Sequence, residues 1–421
     1  MIKEIRLENW KSFPKATLFL DPLTILIGTN AAGKSNVLDA LDFLAQIAQG
    51  REIASILQSD PKALTFRGGA EWAALKPEKS FTLSALVEGD GEKMDYLYSI
   101  TVQTSPKPKL LAESLLQVKY PTRAKAKLKT LRLFWTEECG SDAPAISARL
   151  YNLTKGTPRE VQRSSSVLSQ LKLSTSSLRK EIGDGIQCVL RALNNIFILN
   201  PIPSHMRYFS PLAEKLANDA SNIAGVLAAL PDKERASIES TLQRYVQSLP
   251  EKDIQRVWTE KVGPFENDAV LLCEEAWKNN QHPTKVDARA MSDGTLRFLA
   301  ILTALLTLPE RSQLLIEEVD NGLHPSRSDM LIRMLLAVGA ERHIDVLAST
   351  HNPALLNRLG PDMVPFVVVA HRDPQTGFSD LTLLEDVGNL PKLMASGPLG
   401  ELTASGALER SLKAKGGTNA R

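Results

Sequence analysis

Apolar and polar positions along the chain fall into strand-like and helix-like rhythms. Thr24-Ile-Leu-Ile27 is a short run without polar interruption, which predicts a strand buried on both faces. It leads into Gly28. Val37, Leu38, Leu41, Leu44 and Ile47 then recur at helical spacing and predict a helix from Asn36 that stops near Gly50. Two alternating runs, Phe81 to Val87 and Tyr96 to Val102, flank the turn chemistry of Glu88-Gly-Asp-Gly91 and predict an antiparallel pair. Further on, Leu314 to Ile316, Ile344 to Ala348 and Val364 to Ala370 read as strands, while Phe298 to Leu308 and Arg327 to Val338 read as helices.

Between these regions the pattern changes. Ser105-Pro-Lys-Pro108 interrupts it, and a basic stretch follows: Lys107, Lys109, Lys119, Arg123, Lys125, Lys127, Lys129 and Arg132, opposed only by Glu113. Lys125, Lys127 and Lys129 alternate with other residues and would share one face of a strand, as a docking surface or as a solvated edge. An amphipathic helix carries Ile238, Leu242, Tyr245, Val246 and Leu249, with Asp232 as its cap candidate after Pro231. No heptads run long enough for a coiled coil. The expected organisation is an N-terminal lobe over 1–104, an inserted arm over 105–264, a C-terminal lobe over 265–400 and a tail over 401–421. The fold class is α/β: one core with an antiparallel β subdomain, interrupted by a large α+β insertion.

Composition narrows the classes. Fifty Lys plus Arg against 48 Asp plus Glu leave a formal charge of +2, so any nucleic-acid surface must be local. Cys139, Cys188 and Cys273 lie far apart, which disfavours a zinc site or a disulfide framework and fits a reducing cytoplasm. The charged start predicts no signal peptide, and the most apolar helical run is too short for a bilayer.

Four stretches carry chemistry. Gly28-Thr-Asn-Ala-Ala-Gly33-Lys34-Ser35 fits GxxxxGK[ST], where glycines let the backbone wrap a phosphate at a helix N-terminus. Lys34 would reach the β and γ phosphates of ATP and Ser35 would ligate Mg²⁺. Leu314-Leu-Ile-Glu317-Glu318 ends a buried strand in two carboxylates. Alone this is a strand leaving the core; beside a P-loop, Glu317 suits the metal shell and Glu318 suits the role of base for the attacking water. Met291-Ser292-Asp293-Gly294-Thr295 is an ordinary helix cap or a phosphate-contacting surface. Leu347-Ala-Ser-Thr350-His351-Asn-Pro353 places His351 at a strand's C-terminal end, where ligands of open α/β sheets gather.

Together these stretches resemble the ABC-type ATPases of the RecF, SMC and OLD group, above all the prokaryotic predicted ATPases of anti-phage defence operons. Leu7-Glu-Asn-Trp-Lys-Ser-Phe13 is similar to that group's N-terminal strand and nucleotide loop, which implies nucleotide contacts for Lys11 and Ser12. GTNAAGKSN is similar to its Walker A, adding Asn30, Ala31, Ala32, Gly33 and Asn36. MSDGTLRFLA resembles its signature, LLIEEVDNGLHP its Walker B with D-loop, and LASTHNP its switch histidine. The resemblance implies an ABC-type P-loop NTPase head in which Ser292, Asp293 and Gly294 approach ATP held by a second copy, giving a homodimer with two buried nucleotides. Three departures stand out: Glu317 where many ABC proteins carry Asp, Asp293 where transporters carry Gly, and His324 where a D-loop aspartate would fall.

The preferred expectation is an ATP-hydrolysing, dimerising switch of the cytoplasm, acting with DNA or RNA or with a separately encoded nuclease or toxin. A repair or chromosome-maintenance ATPase is the alternative, weakened by the missing heptads. A transporter subunit is disfavoured by the roughly 260 residues between Ser35 and Ser292. No DxD follows His351, so metal-dependent DNA cleavage would belong to another chain.

Overall fold

The computed structural model describes residues 1–58, 66–91, 93–121, 128–140, 142–172, 177–251, 253–276 and 283–413. The chain divides into two compact units. The first comprises Met1–Asp21, Ile27–Ile196 and Val368–Leu383; the second comprises Pro22–Leu26, Phe197–Val367 and Leu384–Arg421.

In the first unit an eight-stranded antiparallel sheet runs in the order Phe13–Phe19, Ile2–Trp10, Ser80–Glu88, Met94–Gln103, Lys109–Lys119, Lys129–Thr136, Ala145–Leu150 and Thr157–Gln162. The alternating pair expected around Glu88–Gly91 is present, with Phe81 opposite Val102. Alternation buries one face: Phe81, Leu83, Ala85 and Val87 point inward. Phe81 meets Phe43 of the helix Lys34–Ala48 edge-on at 5.4 Å, and Trp10 makes edge contacts to Phe66 and Phe81 at 5.5 and 4.7 Å between ring centres. Burial of such large rings is the main source of stability here. Ser105–Pro108, which breaks the sequence pattern, forms the turn between strands that pair Gln103 with Lys109. The segment expected as an arm is thus divided between the units, because its first strands complete this sheet. Of the basic strand, Lys125 and Lys127 lie outside the described residues. Lys129 opens an internal strand opposite Lys119.

The second unit contains a parallel arrangement. The acid strand, Gln313–Ile316, pairs with the histidine strand, Asp345–Ser349, which pairs in turn with the P-loop strand, Leu23–Ile27. Every residue of the three is buried, including the polar Thr24, Gln313, Asp345 and Ser349 that accompany their apolar residues. Helices Asp293–Thr307 and Ser328–Arg342 pack on one another. A second antiparallel sheet joins Ser210–Pro211, Ile254–Val262, Asp268–Glu275 and Thr284–Asp287, covered by the helix Asp232–Gln247.

Two local expectations are corrected. Asp232 is the first helical residue rather than the cap, because Pro231 takes the extended cap conformation. The strand expected from Val364 begins at Val367, since Pro365 has no N–H for a ladder and sits in the 3₁₀ turn Pro361–Phe366. Among the described residues no helix is long and apolar enough to cross a membrane, and no group of three or more His, Cys, Asp or Glu is placed to hold a metal ion.

Candidate active site

The phosphate-binding half belongs to the first unit. Its P-loop follows the buried strand and turns at Gly28, whose φ of 143° suits glycine and where a Cβ would lie 2.1 Å from the carbonyl oxygen of Ala370. Gly33, with φ 110°, caps the helix Lys34–Ala48; a Cβ there would strike Phe13 and the Ser379 hydroxyl. Only glycine fits at either place. The helix start carries no side-chain cap and no acid in its first turn, so its positive dipole end suits an anion. Lys34 Nζ folds back onto the carbonyls of Gly28 at 2.6 Å and Thr29 at 3.0 Å. A cradle lined by glycines, N–H groups and one ammonium fits a polyphosphate.

Asn30 and Ala31 are exposed at the loop's crest, and Ala32 is buried beneath it. Arg372 donates to the Ala31 carbonyl at 2.8 Å. Ser12 accepts from Asn36 Nδ2 and from the Ser379 hydroxyl, each at 2.8 Å, so the N-terminal loop is tied to the P-loop helix. Lys11 points elsewhere: its ammonium pairs with Asp39 at 2.5 Å and lies over the Phe66 ring at 4.1 Å, and burial lowers its pKa.

The hydrolytic candidates belong to the second unit. Leu26 is in register with Ser349, and Ile316 with Ala348, so three parallel strands end at one level. Glu317 and Glu318 leave that level from the acid strand, and Thr350 and His351 leave it from the histidine strand. Glu318 adopts φ 49°, a left-handed kink that redirects its side chain. Its N–H donates to Ser349 Oγ at 3.0 Å, and its Oε1 lies 3.4 Å from His351 Nδ1. Beneath them, the buried Thr350 hydroxyl donates to Asp320 at 2.7 Å and accepts from the Asn352 N–H at 3.1 Å. Sequence reasoning passed over Asp320; its place four residues past the strand end was the available signal.

The signature-like stretch is a capped helix. Ser292 Oγ accepts from the Thr295 N–H at 3.1 Å, while Ser292 and Asp293 remain exposed. Gly294 passes so close to the loop after the acid strand that a Cβ would lie 2.7 Å from the Gly322 carbonyl. Two arginines frame the stretch, neither signalled by sequence spacing. Arg327 is buried and bonds Thr295 Oγ1 at 3.3 Å and Glu251 at 3.1 Å. Arg207 bonds the loop 288–291 and Asp293.

A family model described as "AAA domain, putative AbiEii toxin, Type IV TA system" matches residues 23–357. The chain belongs to this family. The match spans the P-loop, the Ser292 stretch, the acid strand and His351, and leaves out the N-terminal loop together with Ala370, Arg372 and Ser379. No curated protein matches the chain. Among solved structures, a SmcHead bound to the C-winged helix domain of ScpA is similar at 13% identity and a TM-score of 0.52, covering 90% of this chain and 97% of that one. An Smc head domain with an extended coiled coil, bound to the C-terminal domain of ScpA derived from Pyrococcus furiosus, is similar at 13% identity and a TM-score of 0.50, covering 94% and 99%. At such identity the likeness is one of fold: this AAA-family chain has the ABC-type P-loop ATPase architecture of SMC heads.

Proposed function

We propose that the chain is an ATP-hydrolysing switch that closes into a head-to-head homodimer on ATP and opens on hydrolysis. The observation that carries this reading is the open, glycine-lined P-loop with Lys34, on a chain whose acid and histidine strands end at one level in an ABC-type fold. In this reading Lys34 neutralises the β and γ phosphates, Asn30 to Asn36 wrap them, and Ser12 borders the nucleotide, while the Lys11 ammonium stays on Asp39 behind that loop. Ser35 and Glu317 are the candidates to hold Mg²⁺, which when bound would offset phosphate charge. Glu318 takes the proton of the attacking water, and His351, beside it, steadies that carboxylate and senses the γ-phosphate. Ser292, Asp293 and Gly294 meet the nucleotide of the second copy.

The biological setting belongs to the same proposal: a cytoplasmic, OLD-like defence ATPase whose state is read by a separately encoded nuclease or toxin, or by DNA or RNA. The family's printed description, with its putative toxin of a toxin–antitoxin system, supports a defence setting. The SMC-head fold supports chromosome maintenance or repair as a second reading. Sedimentation and phosphate release test the switch itself: ATP should drive monomer to dimer, and ADP should not. A chain that stays monomeric with ATP overturns it. Phage challenge of cells carrying the chain with its neighbouring genes separates the settings, because protection is expected only of the defence switch.

A further inference from the structure

The guanidinium of Arg207 has four acceptors, all on one stretch of chain 81 to 86 residues away. Nη1 lies 3.0, 2.9 and 2.7 Å from the carbonyl oxygens of Ala288, Arg289 and Met291. Nη2 lies 2.5 Å from Asp293 Oδ1. Three carbonyl dipoles that converge on one point repel each other unless a cation sits there. Nη1 has two hydrogens for three oxygens, so the bonds are shared and the turn closes around the charge. Arg207 is itself held on both sides: the helix Pro203–Met206 packs against Asp293–Thr307, and Ser210 pairs with Ala269.

Asp293 gives this contact its chemical point. It is the first residue of its helix, its side chain is 65% exposed, and it adjoins Ser292. An unbalanced carboxylate there would repel the phosphates that the helix start and Ser292 are proposed to meet. The paired guanidinium cancels that charge and turns the carboxylate toward Arg207.

We propose that Arg207 is the positioning residue of the Ser292 loop, and that it makes Asp293 compatible with an anionic partner by neutralising it. The inference rests on the proposed ATP-bridged dimer. Arg207 acts through the loop and touches no nucleotide in this scheme.

The test combines turnover, nucleotide affinity of the monomer and ATP-driven dimerisation. Arg207→Ala should lower kcat and dimer formation at least tenfold, while ATP binding by the P-loop changes less than threefold. Adding Asp293→Asn to Arg207→Ala should recover several-fold of the lost dimer, because the repelling charge is gone; a merely structural arginine gains nothing from that change. Arg207→Lys should fall between, keeping the charge and losing the shared carbonyl bonds. Mixing Arg207→Ala with Lys34→Ala subunits should restore one composite site. The inference is overturned if Arg207→Ala dimerises normally, or if its defect persists unchanged with Asp293→Asn. Ser292→Arg separates the two levels. If it leaves turnover and dimerisation intact, the ATP-bridged reading fails; if it abolishes both while Arg207→Ala is silent, the Arg207 inference alone fails.

Discussion

Glu318 Oε1 and His351 Nδ1 stand 3.4 Å apart, although 33 residues of chain and a whole helix separate them in sequence. The contact exists because the acid and histidine strands are parallel neighbours and end at one level. Both side chains are about half exposed, 43% and 49%, so the pair adds little to stability and is available for chemistry.

Glu318→Gln keeps the size of the side chain and removes the base. Turnover should fall by about 10²–10⁴-fold while ATP still binds and the dimer stays closed. His351→Ala should give a smaller loss, because the carboxylate remains. Steady-state phosphate release together with sedimentation in ATP checks both. A Glu318→Gln chain with normal turnover removes the carboxylate from the chemistry.

Lys34→Ala acts one step earlier. Removing the point charge proposed to meet the phosphates should abolish ATP binding rather than slow its hydrolysis. The Gly28 and Thr29 carbonyls lose a donor as well; Thr29 is exposed and can turn to water, whereas Gly28 lies in a buried turn and loses about one hydrogen bond. The melting temperature without nucleotide should therefore fall by only a few degrees, and the upward shift expected of wild type with ATP should be missing. Equilibrium binding of a fluorescent ATP analogue reads the effect directly.

Thr350→Val tests the support beneath the pair. The swap preserves shape but orphans two groups: the buried Asp320 carboxylate and the Asn352 N–H. The cost should be about 1–3 kcal/mol, the usual penalty for an unsatisfied buried polar group. Urea unfolding measures it. Turnover should drop too, since both catalytic candidates neighbour this bond.

How far these features were legible depended on the range of the contacts that make them. The P-loop strand, the helix after it, the pair joined at Glu88–Gly91 and the Ser292 cap are set by residues within a few positions of one another, and their patterns predict them. The remaining strands of the antiparallel sheet were not legible as a sheet. Ile2–Trp10 pairs with its neighbour Phe13–Phe19 and also with Ser80–Glu88, about 80 residues away. Pro106 and Pro108 mark a turn equally well inside a sheet and at a domain edge, and nothing local distinguishes the two. The same holds for side-chain direction. Lys11 looks like a phosphate ligand by its motif, but Asp39 and the Phe66 ring draw it inward. Arg207 and Arg327 carry no pattern at all, because their acceptors come from distant segments.

Glu113 offers a prediction of pH dependence. It is fully buried, and burial pushes its pKa up to about 7, against the pull of three donors: the N–H groups of Val167 and Leu168 and the Tyr98 hydroxyl, at 2.6, 2.8 and 3.0 Å. The folded state therefore binds this proton more tightly than the unfolded chain, whose glutamate titrates near 4.5. Its contribution is fully present below about pH 4.5 and is lost as pH rises through 7, a change of roughly 3 kcal/mol for a shift of this size. Asp42, raised to about 6 by burial, has the same sign, so the comparison must be between variants and not between pH values alone. Glu113→Gln cannot ionise. It offers one carbonyl oxygen and an amide nitrogen where the protonated wild type offers a carbonyl and a hydroxyl oxygen, and should lose about 1 kcal/mol at pH 5 by dropping one backbone N–H. At pH 8, where wild type must bury a charge, the variant should be the more stable of the two. Urea unfolding at pH 5 and pH 8 reads the crossing. If wild type instead gains on the variant as pH rises, the three donors outweigh burial and the carboxylate is the native form.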